Sequence, residues 1–110
     1  MDQLRVLLAN ELRSYREVIA LALRELRPGV EVIDVEPKEL DAEAKRFSPH
    51  VVFCSHTTLA VRRTASSWVE LYREHDASVS YVSVGGKLSK VVGGMALEDL
   101  LSIIDQTQVV

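Results

Sequence analysis

The chain has 110 residues, enough for one domain and hardly for two, and its hydrophobic fraction of 47% suffices for a real core. A formal net charge of -3 argues against non-specific nucleic-acid binding, which rests on clustered Lys and Arg. A single cysteine, Cys54, excludes an intramolecular disulfide and fits a reducing, cytoplasmic setting, while apolar runs as short as 51–54 exclude a membrane span.

Met1-Asp2-Gln3 leads straight into a strand-like run, without the basic and apolar regions of a secretory signal. Leu4 to Ala9 is apolar except for Arg5 and ends on the polar pair Asn10-Glu11, the pattern of a central strand buried on both faces. Ser14-Tyr15-Arg16-Glu17 has the form of a capping box, and apolar residues at 15, 18, 19, 22, 23 and 26 carry helical spacing up to Pro28-Gly29. Val30 to Val35 alternates with Glu31 and Asp34, as a strand nearer an edge does. Pro37 to Phe47 predicts a short helix with Leu40, Ala44 and Phe47 on one face, and Val51 to Cys54 a second fully apolar strand. A longer helix is expected from about Leu59 to about Glu74, with Val61, Ala65, Trp68, Val69 and Tyr72 inward.

Val79 to Val84 is the fourth expected strand, and Gly85-Gly86 leads at once into Lys87 to Val92. A two-residue Gly-Gly loop between such runs signals a hairpin, because it supplies positive φ, and a parallel return has no room for its crossover. Gly93-Gly94 breaks the chain, and Ala96 to Asp105 predicts a last helix with Leu97, Leu100, Leu101 and Ile104 inward. Strands alternating with helices imply right-handed βαβ units. The predicted fold is therefore three-layer α/β: a mostly parallel five-stranded sheet, its first four strands in spatial order 2-1-3-4. The fifth strand is an antiparallel edge guarded by Lys87 and Lys90.

With this frame in place, several segments resemble the receiver domain of bacterial response regulators, the flavodoxin-like, doubly wound fold of CheY-type proteins. Arg5-Val6-Leu7-Leu8-Ala9-Asn10-Glu11 resembles the first strand with its acidic pair, and Pro49-His50-Val51-Val52-Phe53-Cys54-Ser55 the third. Ser78 to Val84 resembles the fourth strand, with Ser83 on the Thr/Ser position, and Leu97-Glu98-Asp99-Leu100-Leu101 the start of the final helix. The departures fall on the chemistry. The acidic pair is Asn10 and Glu11, so one carboxylate is gone, and the phospho-accepting Asp is replaced by Ser55. A serine hydroxyl neither ligates Mg²⁺ as a carboxylate does nor forms an acyl phosphate. The lysine position falls by register on Gly93, with Lys90 three residues early, and the helix between strands four and five is missing. The resemblance thus implies a pseudo-receiver in which Asn10, Glu11, Ser55 and Ser83 mark a degenerate phosphorylation site.

Other constellations are weaker. His50, Cys54 and His56 fall at strand spacing but lack a metal-site motif, so a buried thiol with a histidine at each strand end is the plainer reading, and no metal or cofactor is expected. The carboxyl ends of parallel strands should gather Asn10, Glu11, Ser55, His56, Thr57 and Ser83, where Asn10, Ser55, His56, Thr57 and Ser83 could hold a small anion. Arg62-Arg63 with Arg73 reads as a solvated face, Trp68 and Tyr72 as packing, and Gly85-Gly86 lacks the companions of a phosphate loop.

These readings predict a non-enzymatic signalling or protein-interaction module, with no nucleic-acid or membrane partner and a protein partner the sequence does not name. The alternative is a small-anion or nucleotide sensor at the strand ends. A homodimer is expected through the side lacking the fourth helix, where Tyr81, Val82, Val84, Leu88 and Val92 would leave apolar surface open.

Overall fold

A computed structural model of the chain describes residues 3–71 and 79–108. Among these residues it has a mixed six-stranded sheet and four α-helices. In chain order they are β1 (Arg5–Ala9), α1 (Arg13–Leu26), β2 (Glu31–Asp34), α2 (Leu40–Phe47), β3 (Val51–Cys54), α3 (Leu59–Thr64), β4 (Ser67–Glu70), β5 (Val79–Val84), β6 (Lys87–Val92) and α4 (Leu97–Gln108); a 3-10 turn, Pro37–Glu39, precedes α2. The sheet order is β2-β1-β3-β4-β5-β6. The first four strands run parallel, β5 is antiparallel to β4, and β6 antiparallel to β5.

Successive side chains of a strand point to opposite faces, so each all-apolar strand feeds two cores. On one face Val6, Leu8, Val51, Phe53, Val69 and Val82 pack against Ala20 and Leu23 of α1 and Leu100, Ile103 and Ile104 of α4. On the other, Leu7, Ala9, Val52, Cys54 and Trp68 pack against Leu40 and Ala44 of α2 and Val61 of α3. The buried hydroxyls of Ser67 and Thr107, 2.6 Å apart, fasten the end of α4 to β4.

Three expectations need correction. The sheet has six strands instead of five, because the segment expected as a helix from Leu59 to Glu74 stops at Thr64 and continues as β4. Trp68 and Val69 keep their inward assignment but point to opposite faces of the sheet. The run is compatible with both periods. As a strand it completes a parallel crossover from β3 and is buried along its whole length, which decides the outcome. Tyr72, Arg73, Glu74 and Ser78 lie outside the described residues. The strand expected as fourth is therefore fifth, and it runs the other way.

The second correction concerns α1. Its N-cap is Leu12 without a side-chain cap, so Ser14 sits inside the helix and forms no capping box. The Arg16 amide donates to Leu12 O at 2.9 Å, closing the first turn two residues early. The third is the roll of the same helix. Arg16, Ala20 and Leu23 are buried, while Val18 and Leu26, two of the apolar residues at helical spacing, are 65% and 48% exposed. Arg16 belongs to an ionic cluster under the helix, and turning it inward turns Val18 out.

The hairpin forms as expected. Gly85 and Gly86 have φ of +58° and +88°, the pair of positive values that a type I′ turn requires.

Candidate functional site

The carboxyl ends of β1 and β3 are adjacent, with Ala9 paired to Cys54, so the residues just beyond them meet. Ser55 Oγ accepts a hydrogen bond from the Glu11 amide at 3.0 Å. The Glu11 carboxylate lies 3.0 Å from His56 Nε2. Asn10 is buried; its carbonyl accepts from Arg16 Nη1 at 2.7 Å, whereas its side-chain Oδ1 is buried without a hydrogen-bond partner among the described residues. Arg16, only 2% exposed, also reaches Glu36 at 3.1 Å and Asp34 at 3.6 Å, so its charge is compensated within the fold.

The turn after β3 is tied to β4. Glu70 is buried at the end of β4, and its Oε2 accepts from the Thr57 amide at 2.8 Å and the Thr57 hydroxyl at 3.2 Å. Arg62 donates from Nε and Nη2 to the same hydroxyl and lies over the Trp68 ring, 5.3 Å from its centroid. Thr58 caps α3 by accepting from the Val61 amide. An internal carboxylate thus takes the donors that a small anion would use at this turn.

Asn10, Glu11, Ser55, His56 and Thr57 therefore gather at one sheet edge, as the sequence predicted. Ser83 does not join them. β5 is antiparallel, and Ser83 pairs with Trp68, while Glu70 pairs with Tyr81. The carboxyl end of β5 thus lies beside the amino end of β4, at the opposite edge of the sheet. In parallel order the residue that ends the fourth strand at the candidate site is Glu70.

His50 and His56 stand at opposite ends of β3. The Arg5 amide donates to His50 Nδ1 at 2.9 Å at one end, and His56 faces Glu11 at the other. Cys54 between them is fully buried; desolvation, reinforced by the nearby Glu70 charge, pushes its thiol far above the usual range. A thiol held protonated in a dry core is not a nucleophile. Among the described residues no group of three His, Cys, Asp or Glu could hold a metal ion. Ser55 also lacks the arrangement of an activated nucleophile: its hydroxyl accepts from a backbone amide, and the neighbouring imidazole is turned to Glu11.

Sequence reasoning missed Arg16, Asp34, Glu36, Arg62 and Glu70. Glu70 carried a signal: it is the one charge in an otherwise apolar run from Trp68 to Leu71. Arg16 gave no such signal, since it stands in a polar run, Arg13-Ser14-Tyr15-Arg16-Glu17, where a charge reads as solvated.

No protein-family model, no curated protein and no solved structure matches the chain.

Proposed function

We propose that this domain is a non-enzymatic signalling module that acts by protein contact, on a receiver-like, doubly wound frame whose phosphorylation chemistry has been lost. The observation that carries the reading is the engagement of Ser55: at the end of β3 its hydroxyl is bonded to the Glu11 amide, with no carboxylate at that position to accept a phosphoryl group. Around it Glu11 faces His56, and Arg16 is compensated by Asp34 and Glu36. Most of the polar groups at this edge are thus engaged with one another. The sensor reading has less support, because Glu70 already occupies the donors of Thr57.

Incubation of the chain with acetyl phosphate and Mg²⁺, followed by intact-mass measurement, tests the reading. The expected result is an unmodified mass, with no thermal shift on adding inorganic phosphate or nucleotides. A base-labile phosphoryl adduct would overturn it.

A further inference from the structure

β6 ends the sheet, and among the described residues no strand pairs with its outer side. The two-residue loop makes Val84 and Lys87 a hydrogen-bonded pair, so bonded pairs recur at Val82–Ser89 and Ser80–Val91. The backbone N–H and C=O groups of Leu88, Lys90 and Val92 therefore point away from β5. The side chains of these same residues share one face of the sheet, and Leu88 and Val92 on it are 66% and 70% exposed. On the opposite face Lys87, Ser89 and Val91 form one wall of a cavity of about 490 Å³, with Met95, Asp99 and Ile103 on the wall across from them.

An added strand alternates its side chains between two such faces. Here the backbone groups are turned outward, apolar side chains stand on one face and a cavity opens beside the other. Lys87 and Lys90 are exposed, and neither has an ion-pair partner among the described residues. We propose that β6 accepts a strand from a partner protein: an extended segment reading apolar–any–acidic–any–apolar. Its acidic residue sits opposite Lys90, and its apolar residues opposite Leu88 and Val92.

The lysines also decide which occupant fits. A second copy would pair β6 with itself in the register that sets Leu88 against Val92 in both directions. That register places the two Lys90 ammonium groups opposite each other, and like charges directly opposite destabilise. Lys90 thus bars self-pairing and selects an acidic strand by the same charge. This inference rests on the interaction reading above and narrows it to one edge.

The test is a titration of the full chain with two labelled synthetic peptides, one centred on Ile-Thr-Glu-Thr-Ile and one with Lys in place of Glu, read by fluorescence anisotropy. The acidic peptide is expected to bind about fivefold more tightly, the effect of one exposed charge pair. Lys90→Glu is expected to reverse the order, and amide hydrogen exchange at Leu88, Lys90 and Val92 to slow on binding. Equal affinities, an unchanged order in the Lys90→Glu chain, or protection of those amides by self-association of the free protein would each overturn the proposal. Such a failure is distinguishable from failure of the interaction reading, which rises or falls with the acetyl phosphate measurement.

Discussion

At β2 the carbonyl of Val32, turned away from β1, accepts a hydrogen bond from Arg24 Nη2 at 2.9 Å; at β6 no such bond covers the outward groups of Leu88, Lys90 and Val92 among the described residues. β2 is four residues long, and Asp34 at its end lies within 3.6 Å of Arg16 and 3.7 Å of Arg24. A strand arriving there would have to displace a guanidinium and break ion pairs for few bonds in return. β6 is six residues long and regular, and among the described residues it is guarded by lysine charge. The difference follows from the helices above. α1 packs against β2 and sends Arg24 over the edge, whereas α4 stops above β5 and leaves a cavity between itself and β6. One edge is closed by a bond and the other by a charge, and only the second kind of closure can discriminate between partners.

The strongest way to break this contrast is to remove β6. Replacing Gly85 and Gly86 together by Val puts β-branched residues at φ of +58° and +88°, where they are strained although nothing crowds either Cβ. The expected loss is about 2–6 kcal/mol, from roughly 1–3 kcal/mol for each of the two strained residues. It would appear as a lower urea midpoint; an unchanged midpoint would show that the open edge does not depend on its turn. A smaller effect should follow from opening the closed edge. The Arg24 side chain is 48% exposed, so Arg24→Ala is expected to cost less than about 1 kcal/mol. The bared Val32 carbonyl should nevertheless raise light scattering on prolonged incubation, and scattering equal to the parent would deny the guanidinium a protective role.

The smallest expected effect concerns the tie between the two helices above these edges. Arg27 grips Asp105 through two hydrogen bonds of 2.8 and 2.7 Å, which joins α1 to α4 and holds the Asp105 carboxyl below the usual aspartate range. A carboxyl depressed on folding contributes stability above its unfolded value of about 4, and that contribution fades as the pH falls through the folded value. Both side chains are partly exposed, so solvent screens the pair. Thermal midpoints measured from pH 6 to pH 2 should fall slightly less steeply for Asp105→Asn than for the parent. Identical slopes would remove the pair from the acid response.

The parallel half was legible in the sequence because its strands are unbroken apolar runs and its connections are helical in period. β1, β2, β3 and α2 fall where expected, and so does the Gly85-Gly86 hairpin, since only a two-residue turn with positive φ fits between those runs. β4 was hidden by a degeneracy of pattern. Val61, Ala65, Trp68, Val69 and Tyr72 satisfy a helical stripe, and the mostly apolar run Trp68 to Leu71 suits a short strand buried on both faces equally well. The choice rests on a neighbour far along the chain: the open edge of β3 needs a parallel partner, and burial on both faces rewards a strand there. The same hidden strand reversed β5 and carried Ser83 away from the site. Arg16 and Glu70 escaped for a related reason. Their buried side chains are engaged by residues that no local spacing connects: Asp34 and Glu36 pair with the first, and Thr57 donates hydrogen bonds to the second. What could be read at the site was the cluster contributed by two adjacent strand ends, Asn10-Glu11 and Ser55-His56-Thr57.

The two-residue turn also has a consequence in time. Val84 and Lys87 pair across a loop of minimal length, whereas Val6 pairs with Val51, 45 positions away. Short loops close fast and at little entropic cost; long-range parallel pairing is slow. The β5–β6 ribbon can therefore exist while β1 and β3 are still apart, with both of its outer sides bare in a chain that has just been made. At that stage any other nascent copy is a competitor for pairing. Lys87 and Lys90 then repel it before the finished sheet covers β5, so the charges that tune the mature edge also serve as a safeguard during synthesis.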